Sequence, residues 1–182
     1  MNRHFGPPVC PHMVADLEPD IRSLVAERLD AMKGKTRIDV VDEFAFPVPV
    51  TMICKVLGVP LESVPRFHDW IETGLDGLDL GPEASEPDGQ RRVAAAHVAV
   101  PELQQFLADL LEHYRQEPGS NMFSGMVTDG GPEGCLSEQS AVSNAMLMLF
   151  AGHETSVNLI SHCVLQLLRH PDQLEKLRQH PS

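Results

Sequence analysis

The sequence predicts an all-α fold, with any strand limited to a few residues near Ile38. Apolar residues recur every three or four positions in most segments, which is the period of an amphipathic helix. No segment alternates apolar and polar residues over several positions, as a half-buried strand does. The last part of the chain contains about thirty residues without a proline, enough for one very long helix. With 182 residues, the chain is large enough to bury one hydrophobic core.

Two helices are predicted in the first third of the chain. The first begins at His12 and should end at Gly34, because glycine is the usual residue just after a helix C-terminus. Asp39 can cap the second helix by accepting hydrogen bonds from its first free amides. Pro47 and Pro49 should interrupt that second helix, since proline has no amide proton to donate.

The middle of the chain predicts two more helices separated by a loop. The apolar run that follows the two prolines ends at Gly58, and a helix is expected over residues 65–78. Residues 79–89 are rich in glycine, proline and acidic side chains, which predicts a loop. A long helix follows over residues 90–116, and Pro101 should kink it.

The last part of the chain predicts the longest helix. Residues 121–128 form either one short helix or an irregular turn. Ser137 can then cap a helix that continues until Pro171, over about thirty residues or roughly 45 Å. A helix of that length must cross the whole domain. A final short helix is predicted over residues 172–179.

Composition and charge exclude several classes of function. Hydrophobic residues make up 42% of the chain and charged residues 22%, which is ordinary for a globular protein. The formal net charge of −12 repels a nucleic-acid backbone, and no basic run is present. No stretch reaches the roughly 18 consecutive apolar residues that a membrane span needs. We therefore expect a cytoplasmic protein that binds neither nucleic acid nor membrane, although an upstream segment could carry a signal.

The cysteine pattern favours free thiols over a metal site. The four cysteines contain no CxxC pair, so neither a zinc ribbon nor a thioredoxin-like motif is supported. Cys54 and Cys163 lie among apolar neighbours, which predicts that both are buried thiols in a reducing compartment.

A polar patch interrupts the apolar stripe of the long helix and is the strongest site candidate. It reads Ala151-Gly152-His153-Glu154-Thr155-Ser156. Glycine in a helix interior costs about 1 kcal/mol relative to alanine, and a threonine hydroxyl can bond the carbonyl one turn back and bend the helix. These features predict a local widening that could admit water or a small molecule.

Two interpretations of the patch follow from the residues alone. An acid beside an alcohol at such a widening is a short proton relay, and this interpretation depends on the helix being interrupted there. Alternatively, Gly152 lets another helix pack closely while Glu154 and Thr155 face solvent, and composition alone favours that reading. A zinc hydrolase is excluded, because Val157 occupies the second histidine position of the HExxH pattern that His153 would begin.

The patch also resembles a known signature. Residues 151–155 are similar to the oxygen-activation motif of cytochrome P-450 enzymes, Ala/Gly-Gly-x-Asp/Glu-Thr, which also lies near the middle of a very long helix. Residues 43–50, followed by 57–60, resemble that family's Phe/Tyr-Ala-x-Pro-x-Pro and Leu-Gly-Val-Pro segment. Residues 168–173 resemble its Leu-x-x-His-Pro-Glu/Asp-Gln stretch. The order and separations agree over nearly the whole chain, and the soluble bacterial branch fits best.

The resemblance implies roles for individual residues. Thr155 would hold the distal water and bound dioxygen, and Glu154 would feed protons toward the distal oxygen. Ala151 and Gly152 would let the helix pass flat over the heme face. Residues 65–93 would form a mobile lid over the substrate channel. The candidates for the pocket wall are Leu147, Met148 and Phe150.

The same resemblance implies that residues 1–182 are an internal part of a cytochrome P-450 domain. The family's heme-ligating Phe-x-x-Gly-x-x-x-Cys-x-Gly loop and its Glu-x-x-Arg helix do not occur in these residues. The full-length parent would insert one oxygen atom of O2 into a small apolar substrate, using heme and electrons from a ferredoxin-type donor. The chain alone should be inactive, loosely packed or aggregation-prone, with a bare face around Leu149 and Phe150. The alternative is an inert α-helical binding or interaction module with a structural Gly-His-Glu-Thr patch.

Overall fold

The computed structural model describes residues 13–78, 81–128 and 135–180, and these ranges contain helices and turns without a strand. The all-α prediction is therefore confirmed, and the residues near Ile38 form a loop. In chain order the helices are α1 (Met13–Asp16), α2 (Glu18–Met32), α3 (Pro47–Leu57), α4 (Val64–Leu78), α5 (Pro87–Gln116), α6 (Met122–Thr128), α7 (Glu138–Arg169) and α8 (Pro171–Gln179). A π-helical turn spans Val41–Ala45, and 3-10 turns span Leu61–Ser63 and Gly81–Ser85.

Prolines start helices in this fold where the sequence predicted interruptions. Pro47 is the first residue of α3, and Pro49 lies in the same first turn, where amides need no intrahelical partner. Asp39 caps the π-helical turn as predicted, since its Oδ1 accepts from the backbone amides of Val41 at 3.0 Å and Asp42 at 3.2 Å. The π-helical turn leads directly into α3, and Phe46 at their junction contacts His153 of the longest helix.

The predicted loop over residues 79–89 is wrong in its second half. Residues 79–80 lie outside the described residues, but 81–85 form a 3-10 turn and α5 begins at Pro87, again because proline fits the first turn of a helix. α5 then continues helically through Pro101 to Gln116. Residues 122–128 are helical and mostly buried, which decides between the two predictions for that segment.

The core lies between α4, α5, α6 and α7. The ring of Phe106 of α5 lies 5.3 Å from that of Phe67 and 5.6 Å from that of Trp70, both of α4, measured between centroids. The buried stripe of α5 contains Ala96, Ala99, Leu103, Leu107, Leu110 and Leu111, whereas His97 is exposed. The core packs against the small side chains of Ala96 and Ala99, and the Nδ1 of the exposed histidine lies 2.8 Å from the Val93 carbonyl.

Helices α4 and α5 cross very closely. A Cβ atom on Gly77 would lie 2.2 Å from the Cβ of Ala96, a separation that no side chain can adopt. Two turns earlier, the indole nitrogen of Trp70 donates a hydrogen bond to Glu102 at 2.9 Å. The two helices are thus joined by backbone proximity and by a polar contact.

The predictions for the two apolar-flanked cysteines had different outcomes. Cys54 is buried, and burial raises the pKa of its thiol to about 12, so it stays protonated and unreactive at neutral pH. Cys163 is exposed, and the prediction for it is wrong. Among the described residues of α7, the buried positions end at Val157, so the apolar residues around Cys163 have no covering helix.

None of the described helices combines the length and apolar character that a membrane span requires.

Gly58 ends α3 and connects it to two other segments. Its φ of +90° lies in the left-handed region, which glycine adopts without steric cost. The Tyr114 hydroxyl at the end of α5 donates a hydrogen bond to the Gly58 carbonyl. The side chain of Asn121 occupies the space where a Cβ would project, with its Cγ only 2.2 Å away.

We expect Gly58→Ala to lower the free energy of unfolding by about 2–3 kcal/mol. The left-handed conformation accounts for roughly 1–2 kcal/mol, and displacement of Asn121 adds to it. The matched control is Gly34→Ala, which has a φ of +79° but nothing within 4 Å of the added Cβ. Equilibrium denaturation should therefore show a larger loss for Gly58 than for Gly34. Equal losses would mean that the contact with Asn121 contributes nothing.

Candidate functional site

The long helix α7 passes through the polar patch without interruption. Residues 151–155 are regular α-helix, so the predicted widening is wrong, and the relay interpretation loses the helical kink on which it depended. The predicted back-bond is present, because Thr155 Oγ1 donates to the Ala151 carbonyl at 2.7 Å. A carbonyl oxygen has two lone pairs, so it can accept both this bond and the helical one without opening the helix.

The patch divides into an inner half and an outer half. Gly152 is partly buried and His153 is 3% exposed, whereas Ala151, Glu154 and Thr155 are all exposed. Helical geometry explains the division, because residues three or four apart share a face and adjacent residues do not. This division is the one that the structural interpretation predicted, with Gly152 turned inward and with Glu154 and Thr155 exposed.

The inner half contacts α3. A Cβ on Gly152 would lie 3.0 Å from the Cδ1 of Ile53, so glycine permits the close approach of α3 to α7. This contact is the one that the structural interpretation assigned to Gly152. It directs Gly152 toward α3, whereas Ala151 lies on the open side of the helix.

The outer half presents an acid and an alcohol on an open helix face. The Oε1 of Glu154 accepts a hydrogen bond from the Nδ2 of Asn158 at 3.0 Å, one turn further along. Because the single hydroxyl proton of Thr155 is donated to Ala151, the oxygen of Thr155 remains available as an acceptor. The oxygens of this pair can thus accept hydrogen bonds from a water molecule.

The three pocket-wall candidates lie in different environments. Leu147 is 61% exposed on the open side, whereas Met148 is buried in the core. Phe150 is half-buried, and its Cζ lies 3.5 Å from the position of a Cβ on Gly74 of α4. The structure therefore brings Leu147 together with the outer half of the patch, places Phe150 at the boundary with α4 and leaves Met148 in the core.

The open face has an apolar character and little relief. Ala151 and Thr155 carry small side chains, and they lie between Leu147 and Leu159, which is 65% exposed. Leu149 is buried, so the predicted bare face around Leu149 and Phe150 is wrong in its first residue. The adjacent side of the helix is the one left open, and a flat apolar group fits against it.

His153 is the residue in this region that sequence reasoning did not assign. Both of its ring nitrogens are buried and have no hydrogen-bond partner among the described residues. Its ring packs edge-on to Phe46 of the turn preceding α3, with centroids 5.0 Å apart, and Phe46 in turn contacts His68 of α4 at 4.0 Å. The sequence signal that could have identified it is a histidine at an inward position of the apolar stripe, one residue after a glycine.

The surroundings of His153 keep it neutral. Burial is the main cause of its lowered pKa; the carboxylate of Glu154 opposes that shift, and His68 adds to it. The Nδ1 of His153 lies 3.9 Å from the Oε2 of Glu154. Protonation therefore occurs at lower pH in the folded protein than in the unfolded chain, where the ordinary value is 6.5.

We expect the stability of the protein to fall in acid because of His153. The unfolded chain binds a proton at His153 near pH 6.5 and the folded protein does not. The free energy of unfolding is therefore highest above that pH and declines below it. His153→Phe should flatten this decline, as measured by urea denaturation at a series of pH values. An unchanged slope in the variant would assign the acid sensitivity to other groups.

Comparison with known proteins decides the family. The chain is 36% identical over 169 residues to "Cytochrome P450 107B1" of Saccharopolyspora erythraea, which covers 93% of this chain and 38% of that protein. It is 37% identical over 168 residues to "Vitamin D(3) 25-hydroxylase" of Pseudonocardia autotrophica, and the match covers 92% of this chain and 38% of that protein. Its backbone matches the crystal structure of P450BioI with a ligated acyl carrier protein at a TM-score of 0.83 and 31% identity, over 94% of this chain and 42% of that one.

The chain belongs to the cytochrome P450 family. No family model matches the chain, so membership rests on these relatives and on the shared structure. The P450 chain spans about two fifths of the length of the curated relatives that it matches. The uninterrupted α7 is thus compatible with family membership, and only the relay interpretation had depended on a kink.

Proposed function

We propose that the protein carrying this P450 chain is a heme-dependent monooxygenase that inserts one oxygen atom of O2 into a small apolar substrate. The observation that supports this most directly is the outer half of the patch, where Glu154 and Thr155 lie together on the open, apolar-flanked face of α7. Among the relatives, one is named "6-deoxyerythronolide B hydroxylase" and another "Vitamin D(3) 25-hydroxylase", which supports hydroxylation as the class of reaction.

The open face fits the distal side of a heme. Ala151 is small enough for a planar ring to approach the backbone, and Leu147 and Leu159 supply apolar contact on either side. Gly152 would act indirectly, by keeping α3 close behind the helix. Heme, when bound, supplies the chemistry that activates dioxygen.

The two polar residues would manage protons and water at this face. Thr155 offers its oxygen as a hydrogen-bond acceptor, since its own proton is donated to Ala151. That arrangement orients a water molecule with a proton directed toward Thr155. Glu154 is held by Asn158 through one carboxylate oxygen and keeps the other free to receive and release a proton.

The substrate would enter from the side of α4. The half-buried Phe150 lies beside α4 and Leu147 lies on the open side of α7, so both would contact an apolar substrate, whereas Met148 would shape the wall from behind. α4 and the first turns of α5, within residues 65–93, would form the lid. We infer a ferredoxin-type electron donor from the family resemblance alone.

The function is tested with the whole protein that carries this sequence, expressed with heme available. The expected result is the shifted ferrous carbon monoxide band of a thiolate-ligated heme, together with oxidation of an apolar probe when electrons are supplied. Residues 1–182 expressed alone should not give that band, because none of their four cysteines lies in the family's ligand loop. If the whole protein binds no heme, the inert helical module becomes the better description.

A further inference from the structure

The burial of His153 is not explained by packing alone. It is 3% exposed, and neither ring nitrogen has a partner among the described residues, so a phenylalanine would fill the same place without leaving polar atoms unpaired. Its nearest polar neighbour is Glu154, with Nδ1 and Oε2 3.9 Å apart. That separation exceeds a hydrogen bond and is closed by a small side-chain rotation or by one bridging water.

A cavity that is largely open to solvent is lined by Phe46, whose ring also contacts His153. Its volume is about 630 Å³, and it is bounded by α2, the π-helical turn, α3 and α4. Charged or titratable side chains line it, namely Glu27, Arg28, Asp42 and His68. The cavity reaches the rings of Phe46 and His68 but does not reach His153, so the Phe46 ring separates the cavity from the buried imidazole.

We propose that His153 delivers protons to Glu154 from the inner side of α7, and that Phe46 controls their access from this cavity. This inference rests on the proposed function. The imidazole takes a proton from a hydronium ion in the cavity at its free ring nitrogen when Phe46 turns aside, so that one O–H bond breaks, one N–H bond forms and a neutral water molecule remains. It then releases a proton from Nδ1 to the Oε2 of Glu154, so that one N–H bond breaks, one O–H bond forms and the ring returns to its neutral state.

The charges around His153 suit a group that holds a proton only briefly. From α7, the carboxylate of Glu154 attracts the proton. From α4, His68 opposes protonation, and its Nε2 lies 3.5 Å from the Oε2 of Glu72. The π-helical turn and its junction with α3 contribute the uncharged ring of Phe46. His153 thus acts through Glu154 and makes no contact with the reacting atoms.

The inference is tested by steady-state kinetics of the heme-loaded whole protein. His153→Phe and His153→Gln should each lower kcat by roughly tenfold or more, with KM unchanged and with a larger solvent deuterium isotope effect on kcat. The matched control is His97→Gln, which alters an exposed helical histidine on α5 and should leave kcat unchanged. A variant that retains the heme spectrum and turns over like this control would overturn the proposal.

A second measurement separates proton delivery from packing. Adding Phe46→Ala to His153→Gln opens the cavity toward Glu154, so water can replace the lost imidazole and part of the lost kcat should return. A purely structural role for His153 predicts the opposite, since a second core truncation would lower activity further. Absence of any solvent isotope effect in the unaltered protein would also overturn the proposal, even if the variants fail to fold.

The proposed function and this inference fail in different ways. If the unaltered protein forms no thiolate-ligated heme, the proposed function is wrong. If it does, and Thr155→Val is impaired while both His153 variants are not, only the inner route is wrong.

Discussion

Thr155→Val is expected to reduce substrate oxidation by the heme-loaded whole protein by roughly 10²- to 10⁴-fold, the usual contribution of a positioned proton-handling group. Valine has nearly the same shape as threonine, so the packing of α7 is conserved. The change removes the hydroxyl group, which donates to the Ala151 carbonyl and whose oxygen can accept a hydrogen bond from water. Product formation and oxygen consumption should be measured together, because lost proton control lowers the first more than the second.

The control for this change is Thr155→Ser. Serine keeps the hydroxyl and can make the same bond to the carbonyl one turn back, so product formation should stay within about tenfold of the unaltered protein. Equal activity of the valine and serine variants and the unaltered protein would remove Thr155 from the mechanism. It would leave the outer half of the patch as a simple surface of the helix.

Phe67→Ala should cause the largest loss of stability among single core truncations, about 3–5 kcal/mol. Phe67 is fully buried and meets the rings of Trp70 at 5.7 Å and Phe106 at 5.3 Å. Truncation leaves a cavity between α4 and α5 that these rigid rings cannot fill. Urea denaturation of the same protein measures the loss.

Leu61→Ala is the matched comparison for that truncation. Leu61 is 50% exposed in the 3-10 turn before α4, so its removal should change the free energy of unfolding by less than about 0.5 kcal/mol. A loss at Phe67 no larger than that at Leu61 would mean that the aromatic cluster is loosely packed, as the sequence analysis expected for the isolated chain.

Helical periodicity was sufficient to place the main helices, but local signals misled at prolines. The start of α7 after Ser137 follows the sequence prediction, because the Ser137 hydroxyl accepts from the amide of Ser140 at 3.3 Å. Pro47 and Pro87 were taken as breaks and are instead first-turn residues. A proline can either end a helix or begin one. The outcome depends on where the preceding segment ends, and packing decides that.

Burial was harder to predict than helix position. Cys54 and Cys163 have similar apolar neighbours in sequence. Cys54 is nevertheless buried in the core, whereas Cys163 lies on the uncovered half of α7. Periodicity shows that a helix has an apolar face but does not show which elements cover it.

The polar patch illustrates the same limit at the site. Its five residues carry the family resemblance, and composition favoured an inward Gly152 with Glu154 and Thr155 facing solvent, as the structure has them. The predicted kink was wrong, since the back-bond of Thr155 is accommodated within a regular helix. The burial of His153 was not predicted, because it depends on how α3 and the turn before it pack against α7.

The crossing of α4 and α5 has a mechanical consequence. With no room for a side chain at Gly77 and a hydrogen bond between Trp70 and Glu102, a slide of one helix along the other would require Gly77 and Ala96 to separate and that hydrogen bond to break. The pair is connected to its neighbours in the chain by residues 59–63 and 117–121. Gly58 and Gly119 border or lie within these two segments, and both approach the side chain of Asn121, which therefore contacts the chain at both ends of the pair.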